Sequence, residues 1–378
     1  MKAAVLEDVR KMHVQSVSDP TPAPHEVVLR VRAVGVCGTD LHLFQGLGNY
    51  HRDSKGRAVP LTEQPQILGH EFAGEVVEVG KEVKDLKPGD RVLCDQGRNC
   101  YSQQRRPLCP YCASGDSHQC AYYQEHGITG LQGALAEYIA IPAVNCLRLP
   151  DSMTTESGAL VEPLGCILHS SSRMEAARGR YTFDGPERIG SVLIYGSGPA
   201  GLLFLQYLRS VRKFDGKIFV SDIRDNNLQI ARRLGATTVN SARQNLLETV
   251  REQTGGQGVQ YIIEACGVGA VYDEIPKLLC KQGTLLLYAT GHKGRELGVI
   301  DSLLFIEPTV VASAGASGGF DPDGRPTIYR NALEMVSSGL VQTTPFVTHR
   351  YHALEEIHTA FEEDFERQDY IKGVLNLG

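Results

Sequence analysis

The run Val192-Leu193-Ile194-Tyr195-Gly196-Ser197-Gly198-Pro199-Ala200-Gly201 decides the fold. Its apolar start reads as a buried strand, its glycines as a tight turn, and the following Gly201 to Arg212 as a helix. At G-x-G-x-x-G spacing the first glycine permits the turn, the second lets a pyrophosphate approach the backbone, and the third lets helix pack on strand. The helix N-terminus then offers unpaired N–H groups to phosphate. Asp222 stands 21 residues beyond Gly201, at the end of the next strand-like run. A carboxylate there accepts hydrogen bonds from an adenosine ribose and repels a 2′-phosphate, which favours NAD over NADP; Arg224, two residues on, would tolerate the phosphate. The residues read as cofactor-binding are therefore Gly196, Gly198, Pro199, Ala200, Gly201, Asp222 and Arg224.

Outward from this loop, strand-like and helix-like runs alternate. Lys217 to Ser221, Val259 to Glu264 and Gly283 to Tyr288 read as strands; Asp225 to Leu234, Gln244 to Thr254 and Ala270 to Leu279 read as helices. Such alternation predicts an α/β fold with a doubly wound parallel sheet. Before residue 155 or so the chain is different. Lys2 to Leu6, Glu26 to Val34 and Phe72 to Val79 are short Val-rich runs broken by Gly and Pro, which predicts a compact, partly barrel-like β lobe. After residue 315 or so the alternation stops; Ile328 to Ser338 and Leu354 to Phe365 read as helices and Ile371 to Leu377 as a closing strand. Ser170 to Arg188, polar and arginine-rich, reads as a surface excursion. The domains expected are 1–160, 161–315 and a segment 316–378 that returns to the first.

Composition excludes several classes. At 378 residues two domains are expected, and a net charge of −6 argues against a nucleic-acid binder. The charged opening Met1-Lys2-Ala3-Ala4-Val5-Leu6-Glu7-Asp8 does not read as a signal peptide, so none is expected, and no apolar run is long enough to span a membrane as a helix. Ten cysteines are too few for a disulfide scaffold, so they are expected reduced, in the cytoplasm, where clusters read as metal ligands.

Cys100, Cys109, Cys112 and Cys120 form such a cluster, within a lobe at about 94–120. Four thiolates close a tetrahedral zinc site and leave no position for substrate, so this one is structural. Cys94 is an alternative to Cys100. A second set mixes ligand types: Cys37 in Cys37-Gly38-Thr39-Asp40-Leu41-His42, the pair His70-Glu71, and Glu162 before Pro163. Three protein ligands and water are the usual catalytic zinc arrangement, and Glu71 and Glu162 both remain candidates to complete it. Each residue alone reads as core packing or a helix boundary; together, upstream of a nucleotide loop, they read as a catalytic metal site.

These motifs resemble the zinc-containing medium-chain alcohol dehydrogenases over nearly the whole chain. Gly69-His70-Glu71-Phe72-Ala73-Gly74-Glu75-Val76 is similar to that family's zinc signature, and Cys109, Cys112 and Cys120 to its structural-zinc lobe. Glu162-Pro163 and the Cys37 to His42 run resemble the polyol (sorbitol) and threonine dehydrogenase branch. One departure is that Arg106 stands where the family's lobe usually has a cysteine. The resemblance implies a GroES-like catalytic domain, a Rossmann domain, a cleft between them, one catalytic and one structural Zn²⁺ per subunit, NAD, and a homo-oligomer, dimer or tetramer. It implies hydride transfer from a secondary alcohol, with Thr39 passing the released proton through the cofactor ribose to His42. Gly46 to Gln66, carrying Tyr50, His51, Arg52, Lys55 and Arg57, points to a polar small-molecule alcohol: a polyol, cyclitol or sugar derivative. The alternatives are L-threonine 3-dehydrogenase, a zinc-free reductase of the same fold, and a non-enzymatic NAD(H)-binding protein.

Overall fold

The structure, a computed structural model, describes residues 1–290 and 301–378. It divides into two compact units, Met1–Gly165 with Ala316–Gly378, and Cys166–Gly315.

In the first unit the strand Glu26–Val36 is the hub. It pairs antiparallel with Glu71–Val79 along one edge. Tyr138–Pro142 and Lys372–Asn376 share the other. Arg91–Cys94 and Cys146–Arg148 extend the sheet beyond Glu71–Val79, and Val347–Tyr351 lies parallel to Lys372–Asn376. Val27, Val28, Leu29, Val31, Val34 and Val36 are all buried, because the curled sheet covers both faces of this strand. Two registers matter for the site. Gly35 lies opposite Glu71, and Gly373 opposite Val36, which brings the chain's last strand beside the segment that leads to Cys37.

Among the described residues, the second unit is a six-stranded, wholly parallel sheet. Its order is Thr237–Asn240, Lys217–Asp222, Ser191–Tyr195, Val259–Glu264, Leu279–Leu287, Thr309–Ala312. In chain order this is 3-2-1-4-5-6, the Rossmann arrangement. Val192, Leu193 and Ile194 of its first strand are fully buried, as a strand covered on both faces requires. The glycine loop leaves the end of that strand at the point where strand order reverses, the usual ligand crevice of such sheets.

Local expectations needed correction in four places. The helix after the glycine loop is Pro199–Gln206, closed by a π-turn at Tyr207–Val211. The strand Leu279–Leu287 begins four residues before Gly283 and displaces the end of the expected helix there. The acidic segment Leu354 to Phe365 breaks into short turns around the helix Ile357–Glu362. Ser170 to Arg188 is not a plain surface loop: the helix Val161–Ala176 takes its first part. Phe183 anchors the rest edge-on against Phe214 and Tyr261, with ring centroids 5.6 and 5.5 Å away.

Candidate active site and metal centres

Cys37 ends the hub strand's run and opens the helix Gly38–Phe44. Asp40, three residues on, accepts the Cys37 N–H at Oδ2 (3.0 Å), which closes the helix start. Its other oxygen accepts the Gly69 N–H at 3.1 Å and lies 3.2 Å from His70 Nδ1. One buried carboxylate therefore fixes the chain at both metal-ligand segments and orients the imidazole. Burial alone would raise the Asp40 carboxyl, but His70 and the N–H groups of Cys37 and Gly69 hold it below its ordinary value. Burial would lower His70; the negative charge of Asp40 and Cys37 outweighs that and raises it well above 6.5.

One ligand atom from each of Cys37, His70 and Glu71 lies within 4.8 Å of the others. Glu71 fits because residue 35 is glycine: a Cβ there would fall 2.1 Å from Glu71 Oε2. The Glu71 carboxylate also meets a residue that no local pattern announces. Lys372 Nζ, from the last strand, lies 2.6 Å from its oxygens, and both side chains are buried. Burial works against the lysine's charge, yet Glu71 and then Cys37 keep its pKa above the ordinary lysine value. Thr39 and His42, one turn apart on the helix, are half-buried while Asp40, Leu41, Leu43 and Phe44 face inward.

Glu162 is buried in the first turn of the helix Val161–Ala176, where the helix dipole favours its charge. It falls outside the Cys37–His70–Glu71 cluster. Gln96 Nε2 donates to Glu162 Oε1 (2.9 Å) and to Glu125 Oε1 (2.8 Å), while Gln96 Oε1 accepts from the Tyr329 hydroxyl at 2.5 Å.

The second centre joins Cys100, Cys109, Cys112 and Cys120, all buried. Cys100 and Cys109 sulfurs lie 3.7 and 3.8 Å from that of Cys120. A tetrahedral ion with Zn–S bonds of about 2.3 Å needs sulfurs about 3.8 Å apart, so the donor set fits zinc as it stands. Backbone N–H groups of Cys109, Cys112 and Tyr122 point at the sulfurs of Cys100, Cys109 and Cys120. The Cys112 N–H in particular pulls the Cys109 thiol down to about 6. Cys94 is elsewhere, in register with Cys146 and 3.7 Å from its sulfur.

In the second unit, Gly196 has φ +96° and a Cβ at Gly201 would lie 2.0 Å from the Gly196 carbonyl oxygen. A Cβ at Gly198 would meet nothing within 4 Å, so the loop presents open space where a pyrophosphate would approach. Pro199 and Ala200 open the helix with Gly198 as its cap. Asp222 Oδ2 accepts the Ser197 N–H and hydroxyl at 2.6 and 2.8 Å, and its Oδ1 accepts the Ile223 and Arg224 N–H groups.

Residues 23–151 match the alcohol dehydrogenase GroES-like domain and residues 199–338 the zinc-binding dehydrogenase domain. The chain belongs to the zinc-containing medium-chain alcohol dehydrogenase family. Within that family it is 30% identical to L-idonate 5-dehydrogenase of Vitis vinifera, over 99% of this chain and 94% of the other. It is 28% identical to sorbitol dehydrogenase of Arabidopsis thaliana, over 99% and 95%. The crystal structure of galactitol-1-phosphate dehydrogenase from Escherichia coli superposes with a TM-score of 0.78 at 26% identity, covering all of both chains. As a family member this chain is an alcohol oxidoreductase of the zinc-binding class.

Four residues of the site escaped the sequence reading. Asp40 was visible as an acid three residues after Cys37, a capping-box position. Gly35 carries no signal beyond a glycine in a strand, and Gln96 and Lys372 carry none. The polar segment Gly46 to Gln66 keeps three of its cationic side chains at the surface. Arg52, Lys55 and Arg57 are exposed, and Arg57 is paired with Asp53 at 2.8 Å.

Proposed function

We propose that this protein is an NAD-dependent dehydrogenase that oxidises a secondary alcohol of a polyol, cyclitol or sugar derivative to the ketone. The observation that carries the reading is the three-ligand cluster Cys37, His70 and Glu71, in a chain whose other unit carries an acid-backed glycine loop. When bound, zinc would supply Lewis acidity to the alcohol oxygen and the nicotinamide ring would accept the hydride. The chain's own residues do the rest. Asp40 engages His70 Nδ1 and leaves the other ring nitrogen for the metal. Lys372 balances the Glu71 carboxylate, and Gln96 fixes Glu162 in the first turn of its helix. Thr39 Oγ1 and the His42 ring, one turn apart on the helix Gly38–Phe44, would receive the proton released from the substrate and carry it toward solvent. Asp222 would hold the adenosine ribose once one of its present donors gives way, which is the basis for reading NAD.

The polyol class rests on Glu162, on the sorbitol and idonate relatives, and on the exposed position of the loop arginines, which removes the best candidates for gripping an anionic group. The strand Thr309–Ala312 ends the sheet among the described residues; its exposed Val310, with Leu304 and Phe305 exposed just before it, supports a homo-oligomer. The cytoplasm fits the reduced cysteines. The test is a screen of polyols, cyclitols, sugar acids, sugar phosphates and L-threonine with NAD⁺ and NADP⁺, following absorbance of the reduced nucleotide. Fastest turnover on a neutral polyol is expected. Fastest turnover on L-threonine would replace the substrate class, and none on any alcohol would remove the reading.

A further inference from the structure

We infer that Ser197 is a specificity-determining residue that weakens this chain's preference for a free ribose over a 2′-phosphorylated one. The inference rests on the dinucleotide reading above. Asp222 is the acid that would hold the ribose, and its acceptor capacity is already spent. Two carboxylate oxygens offer about four lone-pair sites. Oδ2 accepts from the Ser197 N–H (2.6 Å) and the Ser197 hydroxyl (2.8 Å). Oδ1 accepts from the N–H groups of Ile223 (2.7 Å) and Arg224 (2.9 Å).

Three of these four donors are backbone. The Ser197 N–H is fixed by the glycine turn, and those of Ile223 and Arg224 by the entry to the helix Asp225–Arg233. None can leave without moving the chain. The fourth is a hydroxyl that turns about one bond. A ribose hydroxyl arriving at Asp222 therefore has to displace the Ser197 O–H, the only donor that can yield. Ser197 is fully buried, so water does not readily replace the lost partner. Its carbonyl oxygen accepts from Asn227 Nδ2 (3.2 Å), which pins the residue at both backbone ends. Removing the hydroxyl thus frees an acceptor without releasing the loop.

The two nucleotides feel this hydroxyl with opposite sign. A free ribose diol competes with it for Asp222. A 2′-phosphate has no use for Asp222 and is repelled by its charge, which the Ser197 O–H partly offsets while it donates to Oδ2. Ser197 thus handicaps NAD and helps NADP, on the same side of the balance as Arg224.

The experiment titrates the purified full-length chain with NADH and with NADPH, following nucleotide fluorescence, so binding is read without turnover. Ser197→Ala should tighten NADH and leave NADPH unchanged or weaker. The ratio Kd(NADPH)/Kd(NADH) should rise about threefold to tenfold, the worth of one hydrogen bond. Ser197→Gly, which leaves no methyl against Asp222, should move the ratio the same way. If either variant weakens both nucleotides equally, Ser197 merely supports the loop and the inference is wrong. An unchanged ratio overturns it too. If the wild-type chain binds neither nucleotide, the dinucleotide reading falls and takes this with it; if it binds and the ratio stays put, only Ser197 is reassigned.

Discussion

The two metal-ligand clusters of the first unit are built on opposite plans. The cysteine lobe takes four identical soft ligands from 21 consecutive positions, Cys100 to Cys120, and steadies them with local N–H groups. The Cys37 cluster gathers three different candidate ligands from two segments and braces each by a further residue: Asp40 for Cys37 and His70, Lys372 for Glu71. A closed set needs only its own loop. An open set must keep its shape with a position left for substrate, so buried charges far along the chain are spent on orienting it. The lobe should therefore fail as a folding unit, and the site as a chemical one.

Breaking the site at its ligand should have the largest effect. Cys37→Ser is expected to lower kcat by at least ~10³-fold, the worth of several kcal/mol of Lewis acidity. NADH binding, measured by fluorescence, should persist because the glycine loop belongs to the other unit. The mirror substitution, Cys109→Ser, should lower Tm markedly while the properly folded fraction keeps most of its turnover; an unchanged Tm would mean that the lobe is not a metal staple.

Lys372→Met tests the long-range support. It strands a buried carboxylate and should destabilise by about 3–5 kcal/mol in denaturant melts. Lys372→Arg should recover part of that loss. Asp40→Asn keeps the size of the side chain but removes the charge that orients His70, and is expected to cost about 10–100-fold in zinc affinity or turnover. A loss below twofold would show that the helix start alone places Cys37.

The smallest effect is in pH. In the metal-free chain the His70 pKa is raised well above 6.5, so the proton-bound imidazole persists to higher pH and competes with the ion. Zinc affinity at the Cys37 site should rise with pH through that raised pKa and fall as pH drops below it. The change is at most about tenfold per pH unit for this one proton, readable by competition with a chromogenic chelator.

Legibility in the sequence followed the same division. The glycine loop and the acid at Asp222 were readable because each glycine does a local job within ten residues. The lobe was nearly readable. Its doubt, Cys94 or Cys100, arises because spacing alone does not say which cysteine reaches the other three. Val92-Leu93-Cys94 is strand, and its cysteine is committed to facing Cys146 across the sheet. Lys372 was invisible, since it lies 301 residues from Glu71 and meets it only through the register of the last strand on the hub strand. The arginines of Gly46 to Gln66 are hard to read for the opposite reason: charge in a sequence does not say whether it faces a substrate or, like Arg57, a neighbouring aspartate. Phe183 carries no local signal among arginines, yet its ring packs edge-on against Phe214 and Tyr261.

Metal content per chain weighs the two plans directly. Inductively coupled plasma mass spectrometry of the purified protein should find two zincs per chain, falling to one in Cys37→Ser. A wild-type chain that turns over an alcohol at full rate with fewer than one zinc would contradict the account at its root.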